Sequence, residues 1–196
     1  MGCCVMSKRV LVFGLSGSGK SSVLHILEKK GRLLHVSAGG LVMKHAGCSL
    51  SDFQNRSVQE GVFQGRKVMC KAFDELYCKE TSPIIALGAH LRLRCEDGLV
   101  MSPFSVTRYL KPDAMAFVCA SPDDLIRRRN EDVHRPDRLV QSVEELEAEM
   151  MLQLDELYAR SLDLDVPACL IPEGSSEEQA EIFSGFLDDL EAGCAY

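Results

Sequence analysis

The sequence predicts an α/β fold: a five-stranded parallel sheet with helices on both faces. Two observations carry this. Short apolar runs alternate along the chain with segments whose apolar residues recur every three or four positions. The first such run, residues 8–13, feeds directly into Gly14-Leu15-Ser16-Gly17-Ser18-Gly19-Lys20-Ser21, which leads in turn into a helical pattern.

In order, strand one spans residues 8–13, and the first helix runs to Lys29-Lys30 and stops at Gly31, a residue suited to closing a helix. Residues 32–36 read as strand two. Ser37-Ala38-Gly39-Gly40 reads as a break before a short helix from Leu41 to near Gly47. From Ser51 to Thr81 the apolar spacing is helical, and Pro83 ends it. Residues 84–89 form a continuous apolar run, as expected of a central strand covered on both faces. Leu91-Arg92-Leu93-Arg94 alternates, and Glu96-Asp97-Gly98 is a turn signal, so a hairpin follows strand three. After a helical turn over 105–110, residues 114–119 form strand four.

Ser121-Pro122-Asp123-Asp124 opens a helix with an N-cap serine, a first-position proline and acids in the first turn. Residues 130–141 hold little to bury and read as a mobile loop. Ser142 and Glu145 make a capping box for a long helix to about Leu162. Residues 166–171, broken by Pro167, are a short fifth strand at an edge. Ser175 and Glu178 cap the last helix, which frays near Gly193.

The G-x-x-x-x-G-K-S spacing is a phosphate-binding loop. Its glycines let the backbone turn tightly and aim N–H groups inward at a helix N-terminus, where the helix dipole also favours an anion. Gly14, Ser16, Gly17, Ser18, Gly19, Lys20, Ser21 and Ser22 are therefore the expected ATP-binding set. Lys20 supplies a point charge to the β- and γ-phosphates, and the Ser21 hydroxyl is the expected Mg²⁺ ligand.

The remaining bounds are broad. A chain of 196 residues is expected to form one domain, residues 1–196. Its 22 Lys+Arg against 29 Asp+Glu give no overall attraction to nucleic acid or anionic membranes. Nine scattered cysteines with no C-x-x-C pair indicate free thiols in a reducing compartment. No apolar run reaches the length of a membrane span, so a cytoplasmic protein is expected. Met1-Gly2-Cys3-Cys4 hints at acylation, but Met6 departs from the myristoylation pattern.

With these elements in place, the chain resembles the nucleoside monophosphate kinases, most closely the archaeal-type adenylate kinases. Beyond the phosphate-binding loop, three stretches carry the resemblance: Gly40-Leu41-Val42-Met43, Gly65-Arg66-Lys67, and the run from Ser121 through Arg128-Arg129 to Asp132 and Arg135. The resemblance implies a five-stranded parallel sheet, a monophosphate-binding segment over about residues 37–80 and an arginine lid over about residues 130–141. It implies Mg-ATP as donor and a monophosphate such as AMP as acceptor. Gly40 and Arg56 fall at the acceptor site, and Arg128, Arg129, Arg135 and Arg138 at the transferring phosphoryl group. His90 and Arg92, at and after the end of strand three, are further acceptor-side candidates.

One departure stands out. Where the family ends strand three with Asp-Thr-His, this chain has Gly88-Ala89-His90, and Asp97, Asp113 and Asp123 are the candidate replacements for the acid. Arginines around a triphosphate suit phosphoryl transfer, in which positioning and cations supply the rate. Three consecutive arginines cannot all face one site, so part of Arg127–Arg129 is expected at the surface. Two other readings remain open: a kinase of another small molecule or a nucleic-acid end, and a nucleotide-binding regulatory protein without transfer activity.

Overall fold

The computed structural model describes residues 7–47, 49, 52, 63–95, 98–132 and 141–194. Its strands are β1 (Lys8–Phe13), β2 (Leu34–Ser37), β3 (Ile84–Gly88), β4 (Arg92–Cys95), β5 (Gly98–Met101), β6 (Ala114–Val118) and β7 (Ala168–Ile171). Its helices are α1 (Lys20–Lys29), α2 (Ala38–Ala46), α3 (Gln64–Tyr77), α4 (Phe104–Leu110), α5 (Pro122–Glu131), α6 (Val143–Leu164) and α7 (Ser176–Ala192). Five parallel strands pair in the order β2-β3-β1-β6-β7, and β4 and β5 form a separate antiparallel hairpin.

The period-2 pattern of β1 builds the layers. Leu11 and Phe13 join a core with residues of α3 and α6, including Phe73 and Leu157, while Val10 and Val12 join Val23 and Leu27 of α1 and Phe183 of α7 on the other face. Each fully buried Phe or Leu contributes about 1.5–3 kcal/mol relative to exposure. Register places β1 between β3 and β6, with Val12 opposite both Gly88 and Ala116, so the loop after β1 leaves the middle of the sheet.

Several sequence cues act as expected. Ser142 and Ser175 each form a complete capping box, with Glu145 and Glu178. Ser121 accepts from the Asp124 amide with Pro122 next to it. Strand β7 is short and lies at the sheet edge.

Three boundaries differ. Residues 38–40 form the first turn of α2, because Ser37 caps it by accepting from the Gly40 amide at 3.3 Å, so two glycines do not break the chain there. Strand β7 starts at Ala168, since Asp165 closes α6 in a left-handed conformation (φ 52°) and Pro167 follows. Of the helix expected over residues 51–81, the structure gives α3; residues 51 and 53–62 lie outside the described residues. Met151 is exposed on α6.

Arg160 is a buried cation on α6. Its Nε donates to Glu156 at 2.8 Å, one terminal nitrogen donates to Thr107 Oγ1 at 2.7 Å, and the other donates to the Ser102 carbonyl. It ties α6 to α4 and to the end of the hairpin. Among the described residues no helix is long and apolar enough to cross a membrane.

Candidate active site

The loop between β1 and α1 is shaped by close approach. At Gly14 (φ 144°) a Cβ would lie 2.6 Å from the Val118 carbonyl oxygen and 2.7 Å from Ser18 Oγ, so no side chain fits. Gly19 (φ 93°) caps α1 in a left-handed conformation, which frees the first amides of the helix to point out of its N-terminus. The Lys20 ammonium, itself buried, donates to the Gly14 and Leu15 carbonyls at 2.8 and 3.0 Å.

The loop opens on a cavity of about 860 Å³. Ser16, Gly17, Gly19, Lys20, Ser21 and Ser22 line it from the sheet side. Gly14 and Ser18 of the same loop are not on the cavity wall; Ser18 is buried, and its amide donates to the Leu15 carbonyl at 3.1 Å within the turn. From β2 and α2 come His35, Ser37 and Gly40, from α3 Arg66 and Met69, from the segment after β3 His90, and from the hairpin Arg92. Helix α5 contributes Arg128 and Arg129, and α6 contributes Glu149 and Gln153.

The structure therefore brings Gly40, His90, Arg92, Arg128 and Arg129 to the same cavity as the phosphate-binding loop. His90 Nδ1 lies 3.2 Å from the Gly14 carbonyl. Arg129 Nε donates to the Ser16 carbonyl at 2.9 Å, and an Arg128 terminal nitrogen reaches the Gly17 carbonyl at 3.4 Å. Arg127 faces solvent and pairs with Asp124 and Glu131 at 2.7 and 3.3 Å. Arg56, Arg135 and Arg138, with most of the expected lid, lie outside the described residues, as does Asp97.

The two other replacement acids do not reach the cavity. Asp113 precedes β6 at the opposite end of the sheet from the loop, where it accepts from the Arg9 amide at 2.7 Å. Asp123 is exposed in the first turn of α5. Among the described residues, the carboxylates that do line the cavity are Glu131, Asp132 and Glu149. At Gly88 a Cβ would stand 3.3 Å from Leu24 Cδ1 and 3.4 Å from His35 Nε2, so His35 crowds the place of the missing acid. Burial holds the His35 pKa below its ordinary 6.5, against the pull of Glu28 and with the help of His25.

Sequence reading missed His35, Glu149 and Gln153, and placed Gln141 in a mobile loop. Gln141 is anchored: its carbonyl oxygen accepts from Arg129 at 2.7 Å and its amide nitrogen donates to Glu149 Oε2 at 2.7 Å. Glu149 Oε1 then accepts from Gln153 Nε2 at 2.9 Å. The signal was on α6, whose buried positions Leu146, Glu149, Gln153 and Leu157 keep helical spacing with two polar residues in the middle.

Among the described residues no cluster of three or more His, Cys, Asp or Glu is arranged to hold a metal ion. At nucleotides Mg²⁺ is held mostly by phosphate oxygens and waters, with one or two protein oxygens. Ser21, on the cavity wall next to Lys20, has the right donor chemistry for that part.

A family model described as AAA domain matches residues 13–147. No curated protein matches the sequence. Among solved structures, the chain is similar to shikimate kinase from Aquifex aeolicus (17% identity, TM-score 0.60, covering 94% of this chain and 99% of that one). It is also similar to shikimate kinase from Acinetobacter baumannii in complex with shikimate (15% identity, TM-score 0.59, 96% and 95%) and to shikimate kinase from Bacteroides thetaiotaomicron (14%, 0.58, 92% and 98%). At such identities the likeness shows the fold, a P-loop kinase-like α/β sheet; with the family match spanning the loop, the hairpin and the start of α6, the chain belongs to the AAA domain family.

Proposed function

We propose that this protein is an ATP-dependent phosphotransferase, one kinase domain that moves the γ-phosphoryl group of Mg-ATP to a nucleoside monophosphate such as AMP. The observation that carries the reading is convergence: the phosphate-binding loop and Lys20 open on one cavity with Arg66, Arg92, Arg128 and Arg129.

In this reading Gly17, Gly19, Lys20, Ser21 and Ser22 hold the donor phosphates, and Lys20 exchanges its bonds to the loop carbonyls for phosphate oxygens. Ser21 holds Mg²⁺, which when bound neutralises charge on the donor phosphates. Gly40, Arg56, Arg66, His90 and Arg92 take the acceptor side. The acceptor's phosphate oxygen attacks the γ-phosphorus in line, a new P–O bond forms, and the bond to the ADP oxygen breaks. Arg128 and Arg129, with Arg135 and Arg138 of the lid segment, bear cations on the equatorial oxygens during transfer, an effect worth about 10³–10⁵ in rate for such arginines. Closure of the lid segment excludes water, which otherwise accepts the phosphoryl group.

A second acceptor class is favoured by the shikimate kinase fold and by two arginines on the cavity wall: a hydroxylated carboxylic acid, its carboxylate held by Arg66 and Arg92 and its hydroxyl phosphorylated. A panel of ribonucleoside monophosphates and shikimate, each incubated with labelled Mg-ATP, separates the two. Label in a nucleoside diphosphate supports the first reading. Label in the acid alone replaces it with the second.

A further inference from the structure

Helix α6 buries Leu146, Gln153, Leu157 and Arg160 on one side and leaves the other uncovered. The uncovered side carries Ala148, Met151, Leu152, Tyr158, Ala159 and Leu162 at helical spacing, with Met151 57% and Leu162 82% exposed. Single exposed apolar residues are ordinary, but a ridge running along one helix for about four turns marks an interaction surface.

Charge narrows what can cover it. Every polar residue exposed on α6 is an acid: Glu144, Glu145, Glu147, Asp155 and Asp163. The cation of the helix, Arg160, is turned into the core, and Asp163 pairs with Arg108 at 2.7 Å. Among the described residues Glu144, Glu147 and Asp155 make no ion pair. A second copy laid along this face, parallel or antiparallel, sets acids against acids, and an anionic membrane meets the same repulsion.

A groove of about 410 Å³ adjoins the ridge between α6 and the hairpin. Leu99, Ala148 and Leu152 give it apolar walls, and Arg92 stands on its hairpin side. That wall suits an apolar anchor and disfavours a cationic one, which leaves the acids outside the groove to meet the cations of a ligand.

We infer that this face of α6 docks a basic amphipathic helix of another protein. The apolar side of that helix packs on Met151, Leu152, Tyr158 and Leu162, one of its side chains fills the groove, and its flanking Lys or Arg residues meet Glu144, Glu147 and Asp155. The inference stands apart from the kinase reading, since none of the ridge residues lines the cavity at the phosphate-binding loop.

The test is binding of a synthetic peptide of about 20 residues, with Leu along one helical face and Lys on the other. The chain has no tryptophan, so a single Trp among the leucines reports on the peptide alone. Its emission should shift to the blue and saturate with the full-length protein, more weakly as salt is added. Leu162→Glu and Met151→Glu, both at exposed positions, should each weaken binding by about 10-fold. Glu147→Lys combined with Asp155→Lys should weaken it by a similar factor, whereas the same charge change at exposed Glu181 and Asp189 of α7 should alter it by less than about 2-fold.

Equal binding of a peptide with Glu in place of every Lys overturns the inference, because affinity then owes nothing to charge. Equal weakening by the α7 substitutions overturns it as well, since attraction is then to the acidic protein as a whole. In analytical ultracentrifugation the wild type should sediment as a species that Leu162→Glu leaves unchanged; a dimer that this substitution dissociates would give the face to a second copy instead.

Discussion

Arg129 Nε donates to the carbonyl oxygen of Ser16 at 2.9 Å, which ties the end of α5 to the phosphate-binding loop across 113 residues of sequence. The same guanidinium holds Gln141 at 2.7 Å. One side chain therefore positions both the loop and the segment that leads into α6.

Replacing that fork should reduce transfer far more than donor binding. For Arg129→Ala we expect kcat to fall by about 10³ with only a few-fold change in the affinity for ATP. Arg129→Lys should recover little, because a point charge cannot serve two planar hydrogen bonds. Equilibrium ATP binding beside single-turnover rates checks this, and an equal loss in both quantities would speak for a purely structural role.

Crowding at Gly88 makes a second prediction. A Cβ there needs Leu24 and His35 to give way, so Gly88→Ala should destabilise by about 1–2 kcal/mol. In His35→Ala the same substitution should cost less, with only Leu24 left to give way. Urea unfolding of the four proteins measures the coupling, and simple additivity would show that His35 does not occupy that space.

His35 also gives a pH dependence. Its folded pKa lies below 6.5 because burial disfavours the imidazolium, so below pH 6.5 the unfolded chain takes up a proton that the folded chain does not. Stability attributable to this group is complete above pH 6.5 and declines as pH falls, by at most about 1.4 kcal/mol per pH unit. His35→Gln should flatten this slope between pH 7.5 and 5.5 in denaturant titrations, and an identical slope in the variant would contradict it.

The buried cation of α6 is a stability element. Arg160→Met keeps most of the stem but strands the Thr107 hydroxyl and the Ser102 carbonyl, with a predicted loss of roughly 3 kcal/mol. Thermal unfolding should register this, and a change within experimental error would assign the stability of that corner to packing alone.

Much of this architecture was legible because local signals were strong. Capping boxes at Ser142 and Ser175, the run at 84–89 and the loop between β1 and α1 each encode their geometry within a few residues. Arg128 and Arg129 could be placed because the helix they sit on starts at an unmistakable cap. What local reading could not supply was contact across the sequence. Gln141 looked solvated because its partners are Arg129 on one helix and Glu149 on another. His35 looked like an ordinary strand residue because the space it fills belongs to Gly88 on the neighbouring strand. Asp113 looked like a possible replacement acid until the sheet put it at the far end, under Arg9.

The proposed phosphoryl transfer takes place at the loop that carries Lys20. Its most direct test is single-turnover transfer from γ-labelled Mg-ATP to AMP, with Lys20→Ala beside the wild type. Labelled ADP is expected from the wild type, with a rate at least about 10³ lower in the variant. Tight ATP binding by the wild type with no label passed to AMP would contradict it, leaving another acceptor or a binding-only role.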